Sequence, residues 1–176
     1  MIDAVAAFLK TGLARRMADA GSRKLHRELP FALRVEPREG DPAGPGLVVR
    51  GQLDALLLDS DQATVVDYKL SRAAPPGRYR FQLDAYALAA RELTGSTLPV
   101  RSGLVFLRSP GSPFAPREAP GPAELESIRR RLLEAAGTVA SGRRTGVWPR
   151  TEPARCRELE CGFIHRCHPE EVVPAG

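Results

Sequence analysis

At 176 residues the chain is long enough to bury one proper core and does not require a second. Its net charge of +5 and pI near 9.6 suit a nucleic acid or other polyanion as partner, although the Arg-, Ala- and Pro-rich bias equally follows from GC-rich coding. There is no apolar run of about 18 residues and no charged-then-apolar leader with a cleavage site, so neither a membrane span nor secretion is indicated and the cytoplasm is the expected location.

In chain order, Val5, Phe8, Leu9, Leu13 and Met17 recur at near-helical spacing and predict a helix over 2–20. Leu25, Leu29, Phe31, Leu33 and Val35 alternate as a strand over 24–36, where Pro30 argues for an edge position or a bulge. A Pro/Gly-rich loop over 37–46 precedes two strands, 47–58 and 62–70, joined through the turn at Asp59-Ser-Asp-Gln as a hairpin. Ala74-Pro-Pro-Gly77 breaks the chain before a helix over 78–93, with Tyr79, Leu83, Tyr86 and Ala90 on one face and Gly95 as its stop. A strand over 99–107, a Pro-rich loop and a helix over 122–141 follow. The alternation predicts an α/β fold, a mixed sheet flanked by helices in the order αβββαβ, with a C-terminal Cys-rich tail. The expected division is a core over 1–145 and a tail over 146–176, with Trp148 as a hydrophobic anchor for the tail.

The informative stretch is the hairpin. Alternate side chains of a strand share one face and rise about 6.6 to 7 Å per pair, so Asp67 and Lys69 point the same way. Asp54, on the preceding strand, can join them, placing two carboxylates and one ammonium at the strand ends. Such a group suits a hard divalent cation, Mg²⁺ or Mn²⁺, which keeps several waters and shares its remaining positions with phosphate oxygens. A lysine beside such an ion stabilises developing charge or orients an attacking water. Gln82 and Tyr86, four apart, are neighbours on the following helix. Gln82 can reach toward a scissile phosphate or a base, while Tyr86 reads equally as core packing.

Four stretches carry a family resemblance: Arg27-Glu28-Leu-Pro-Phe31, Gly51-Gln-Leu-Asp54, Val65-Val-Asp67-Tyr-Lys69 and Tyr79-Arg-Phe-Gln82-Leu-Asp-Ala-Tyr86. Together they resemble the PD-(D/E)xK nucleases, and more narrowly the RecB-like nuclease domain at the C-terminus of AddA-type helicase–nucleases. The resemblance implies a restriction-endonuclease-like core with Asp54, Asp67 and the backbone carbonyl of Tyr68 as metal ligands. It also implies that Lys69 is the catalytic lysine, that Gln82 and Tyr86 form the motif following it, and that Glu28 is the acidic residue of the preceding strand. The implied function is Mg²⁺-dependent DNA cleavage, as an exonuclease, beside a UvrD/AddA-type helicase in double-strand break repair and recombination. Implied partners are single-stranded DNA or DNA ends and a helicase, either as a domain of the same chain or as a separate protein. The alternative is a catalytically impaired module that binds DNA or a helicase partner without cutting.

Two departures stand out. The family's Gly-x-x-x-His helix upstream of the Glu-containing strand is not found, and His26 lies two residues from Glu28 on the strand itself, which suggests an N-terminally truncated or split member. The cysteines, Cys156, Cys161 and Cys167, cluster in the tail with His165 and His168 between and beside them, a metal-type pattern. The resemblance implies a [4Fe-4S] site whose fourth cysteine is not in this chain. Zn²⁺ held by the three cysteines and His165 or His168, or three reduced thiols, are the alternatives.

Overall fold

The computed structural model describes residues 2–21, 24–41, 46–74, 77–95, 98–111 and 113–171. The chain divides into two compact units, Met1–Gly137 and Thr138–Gly176. In the first, the helices α1 (Ile2–Leu9) and α2 (Gly12–Asp19) precede the strands β1 (Leu25–Val35), β2 (Leu47–Leu58) and β3 (Ala63–Lys69). Helix α3 (Arg80–Thr94), strand β4 (Val100–Phe106), strand β5 (Phe114–Arg117) and helix α4 (Pro122–Thr145), which runs on into the second unit, complete the order. Among the described residues the strands form one sheet, β1-β2-β3-β4-β5. The β3–β4 pair is parallel with α3 as its crossover, and the other pairs are antiparallel. No helix among the described residues is long and apolar enough to cross a membrane.

The fold is the expected α/β sandwich, with cores on both faces of the sheet. On one, Phe31, Leu33, Val35, Leu53, Leu56 and Val65 pack against alanines of α3 and Ile128, Leu132 and Leu133 of α4. On the other, Leu25, Ala55, Leu57, Val66 and Val105 meet Phe8, Leu13, Ala14 and Met17. Two local expectations are corrected. The single helix over 2–20 is broken: Thr11 is extended and caps α2, its hydroxyl accepting from the Ala14 N–H at 3.2 Å. The Pro-rich stretch after β4 contains β5, where Phe114 lies over Gly103 so closely that a Cβ there would meet the ring at 2.3 Å. Pro113 and Pro116 hide that strand, since Pro within a run ordinarily argues against one. The expected breaks over 37–46 and at Ala74–Gly77 lie partly outside the described residues.

The alternation of β1 and β2 also changes phase. Leu25 faces α1 and α2, yet Leu29, Phe31, Leu33 and Val35, all an even number of residues away, face α3 and α4. In β2, Leu53 faces α3 while Ala55 and Leu57 face the opposite layer. The reversals coincide. Arg27 pairs with Ala55 and Leu29 with Leu53, so Glu28 and Asp54 lie opposite each other where regular pairing lapses. Glu28 has φ +49°, a left-handed conformation that an L side chain rarely holds inside a strand. One residue of positive φ rotates the strand's side chains by about one step, so all those expected on one face divide between two. Pro30 sits two residues on, on the edge strand.

Buried ion pairs fasten the layers. Asp84 of α3, 1% exposed, is paired with Arg117 of β5 and with Arg131 of α4 at 2.7 Å. Arg129 of α4 grips Asp41 with contacts of 2.7 and 2.9 Å and donates to the Glu36 carbonyl at 3.0 Å. In the second unit, α5 (Pro153–Glu158) carries Cys156 and α6 (Ile164–Cys167) carries Cys167, with Cys161 in the segment between them, and Trp148, 54% exposed, rests against Gly142.

The strain at Glu28 is testable. Glycine adopts positive φ without penalty, so Glu28→Gly should be at least as stable as the parent in urea, whereas Ala32→Gly on the same strand should lose about 1 kcal/mol. Equal losses at both positions would mean that Glu28 is not strained.

Candidate active site

The phase reversal determines what Asp54 can do. The β2–β3 ladder runs from Leu58↔Ala63 to Ala55↔Val66, and Asp54 and Asp67 face each other one step beyond. There the Tyr68 N–H donates at 2.7 Å to the Asp54 carboxylate Oδ2 rather than to a backbone carbonyl. The Asp54 side chain therefore lies along the sheet, at the mouth between two parting strands. Tyr68 points to the α1 side, edge-on to Phe8 at 6.3 Å.

Asp67 and Lys69 share the opposite face, as period 2 requires. Asp67 is 2% exposed. Its Oδ2 lies 2.7 Å from the Lys69 ammonium. Its Oδ1 accepts from the Gln82 amide at 3.1 Å, and the Gln82 carbonyl accepts from Lys69 at 3.0 Å. The second amide hydrogen of Gln82 goes to the Tyr86 hydroxyl at 2.7 Å. Both donors and the acceptor of Gln82 are thus engaged, and a flipped amide would turn its NH₂ against an ammonium. Gln82 holds Asp67 and Lys69 rather than reaching outward. Tyr86 is held in turn by Phe31, edge-on at 5.9 Å, and Phe31 fits because Gly51 opposite has no side chain: a Cβ there would meet the ring at 2.7 Å.

Burial sets the electrostatics. It raises the Asp67 carboxyl above the ordinary range, a rise opposed by Lys69 and aided by the charge of Asp54. Burial likewise pushes the Tyr86 hydroxyl up, against the hydrogen bond from Gln82.

Of the sequence candidates, Asp67, Lys69, Gln82 and Tyr86 form one connected network, and Asp54 reaches it across the strand mouth. Glu28 stands on the far side of Asp54, exposed, its carboxylate accepting from Gln52 at 2.9 Å and its carbonyl from the same amide at 3.1 Å. Gln52 and Tyr79 have contacts at the site that the sequence does not assign them, Tyr79 being expected only on the apolar face of its helix. Gln52 faces Pro30 in the register and its role becomes visible only through the conformation of Glu28. Tyr79 lies at the start of α3 with its ring 4.8 Å from the Lys69 ammonium, and its spacing of three from Gln82 was the available signal. His26 is half-buried on β1.

In the tail, Cys156 is buried, and burial together with Cys161 and Cys167 pushes its thiol up. The His168 Nε2 lies 2.8 Å from the Thr151 carbonyl, and His165 is exposed. Among the described residues no set of three or more His, Cys, Asp or Glu side chains is gathered so as to hold a metal ion.

A sheet with this crossover, carrying Asp, Asp-x-Lys and a glutamine-bearing helix at one end of its central strands, defines a class. The chain belongs to the PD-(D/E)XK nuclease superfamily, whose family model matches residues 3–168. It is similar to an ATP-dependent helicase/nuclease protein of the AddA type from Desulforudis audaxviator, with 36% identity over 119 residues, 61% of this chain and 9% of that protein. The proteins of the same name from Streptococcus sanguinis (36% identity, 48% of this chain, 7% of that protein) and Desulforamulus reducens (31%, 61% and 9%) are similar as well. The chain therefore spans less than a tenth of the length of these relatives.

Because the folded state holds the Asp67 proton more tightly than the unfolded state, ionising this group costs stability. The contribution is most favourable below about pH 4 and is lost as pH rises through the raised folded value. In chelator, the melting temperature of Asp67→Asn relative to the parent should climb between about pH 4 and neutrality. A difference that stays constant across that range would show that Asp67 is not desolvated.

Proposed function

We propose that this chain is a divalent-metal-dependent deoxyribonuclease domain, acting on single-stranded DNA or DNA ends beside a helicase in double-strand break repair and recombination, in the cytoplasm. The observation that carries the proposal is the closed contact among Asp67, Lys69 and Gln82 at the strand mouth where Asp54 arrives. The residues fit Mg²⁺ or Mn²⁺ by their chemistry: two carboxylates suffice for an ion that keeps most of its water. Asp67 Oδ2 is buried with no hydrogen-bond partner beyond its ion-pair contact with Lys69. Asp54, Asp67 and the Tyr68 carbonyl would hold the ion. When bound, it supplies Lewis-acid polarisation of a phosphate and a more acidic water.

The chain's own groups do the rest. Lys69 presents an ammonium at 19% side-chain exposure, where water screens little, to charge developing on phosphoryl oxygens. Gln82 keeps that ammonium beside Asp67, and Tyr86 fixes the Gln82 amide. Glu28, at the rim past Asp54, would orient water or strand. The nuclease core is assigned to 1–145 and the tail to 146–176. The three tail cysteines are not gathered as a metal site among the described residues, so [4Fe-4S] or Zn²⁺ on Cys156, Cys161 and Cys167 would require them to close around the ion. A fourth ligand would come from His165, the freer of the two tail histidines, or from a residue outside this chain.

One observation favours a second reading, a module that binds DNA without cutting it: two carboxylates, not three acidic or histidine side chains, converge at the site among the described residues. Cleavage of end-labelled single-stranded DNA in Mg²⁺ separates the two. The parent chain should degrade it, and Asp67→Ala should lower the rate by at least about a hundredfold with an unchanged circular dichroism spectrum. Salt-sensitive binding without any Mg²⁺-dependent product would establish the second reading.

A further inference from the structure

Lys69 is held at its end by two polar contacts, Asp67 and Gln82, but both lie on the inner side of the site. A four-carbon stem ending in three rotatable donors can leave such partners for solvent, and one more contact bears on where it points. The Tyr79 ring stands 4.8 Å from the ammonium, within the range at which the negative face of an aromatic ring attracts a cation. The ring is itself backed: Phe106 of β4, 2% exposed, lies 6.3 Å away at a tilt of 52°, and Leu83, Leu104 and Phe106 form the apolar cluster against which Tyr79 packs. Tyr79 is the residue from which α3 begins, and its carbonyl accepts the Leu83 N–H at 3.0 Å. The helix start that delivers Gln82 therefore also fixes the ring.

We propose that Tyr79 is a positioning residue whose ring face holds the Lys69 ammonium against Asp67 and Gln82. This rests on the nuclease reading for its consequence, though not for the contact itself. The ring adds attraction without competing for hydrogen bonds, so all three ammonium hydrogens remain for Asp67, Gln82 and a substrate oxygen. A tyrosine hydroxyl or carboxylate in the same place would occupy one of them. The property required is the ring's charge distribution, not the phenol oxygen.

The test uses the full 176-residue chain and replaces the ring in three ways: Tyr79→Phe, Tyr79→Leu and Tyr79→pentafluorophenylalanine, which keeps the ring's shape and reverses its quadrupole. In NMR spectra of the parent, the ε-methylene protons of Lys69 should carry an upfield ring-current shift that Tyr79→Phe retains and Tyr79→Leu loses. With end-labelled single-stranded DNA and Mg²⁺, Tyr79→Phe should keep kcat within about twofold, and the pentafluoro variant should lower kcat by about tenfold with KM within about twofold. A simple packing role would leave the pentafluoro variant like Tyr79→Phe, and that result overturns the proposal, as does an unshifted Lys69 signal in the parent. A parent chain that cuts no DNA refutes the nuclease reading instead, and the NMR comparison then decides the contact alone. The fluorinated variant also covers the case in which Tyr79→Leu does not fold.

Discussion

A carboxylate in the middle of an apolar strand is the demand around which this fold is arranged. Asp67 lies between Val66 and Tyr68 on β3, almost fully buried, and an ionised group there loses most of its hydration. Its compensation comes from two directions, an ammonium two residues on and an amide from α3, while the like charge of Asp54 across the strand mouth works against it. Burial still prevails and raises the carboxyl above its ordinary range. The divalent cation proposed for this site would add positive charge beside Asp67 and so offset part of that cost.

The second carboxylate arrives by a different device. Had β1 and β2 kept regular alternation, Asp54 would point fully to one face and the Tyr68 N–H would need a backbone partner. The left-handed turn of Glu28 and the matching shift at Asp54 let one strand pair reverse phase without losing register. Strain of this kind persists only where the surroundings over-determine it, and here the regular pairing over Leu25–Arg27 before Glu28 and Leu29–Val35 after it does so. The same local distortion thus feeds both hydrophobic layers with apolar side chains and opens the mouth where the carboxylates meet. Supporting contacts extend outward from it, from Gly51 through Phe31 and Tyr86 to Gln82, so that a glycine on β2 bears on the orientation of an amide on α3.

Much of this was legible in the sequence, and the reasons differ by residue. Asp67 and Lys69 share a face because strand periodicity is local, and Gln82 and Tyr86 touch because helical periodicity is. The phase reversal was hidden: Leu25 and Leu29 keep an even spacing, and the run Ala55-Leu-Leu-Leu58 is apolar at every position, so neither strand shows a break in its pattern. The helix break was visible in principle, since Thr11-Gly12 is a capping pair inside an apolar stripe. Strand β5 and the buried Asp84 were not, because each depends on partners far along the chain, Gly103 for Phe114 and Arg117 with Arg131 for Asp84. The Cys156-to-Cys167 spacing suggests a metal-type tail, but ligand geometry is not a property of spacing, and among the described residues no three such side chains are gathered.

The central claim is that Asp54 and Asp67, brought together by the phase reversal, make one cation centre. Titration with Mn²⁺ followed by electron paramagnetic resonance addresses it directly, because it reads the bound ion rather than any reaction. One ion should bind the parent chain, with affinity reduced at least about tenfold in Asp54→Ala and likewise in Asp67→Ala. Unchanged binding in Asp54→Ala would contradict the account, since it would leave Asp67 to hold the ion alone and the reversal of β1 and β2 without a part in the site.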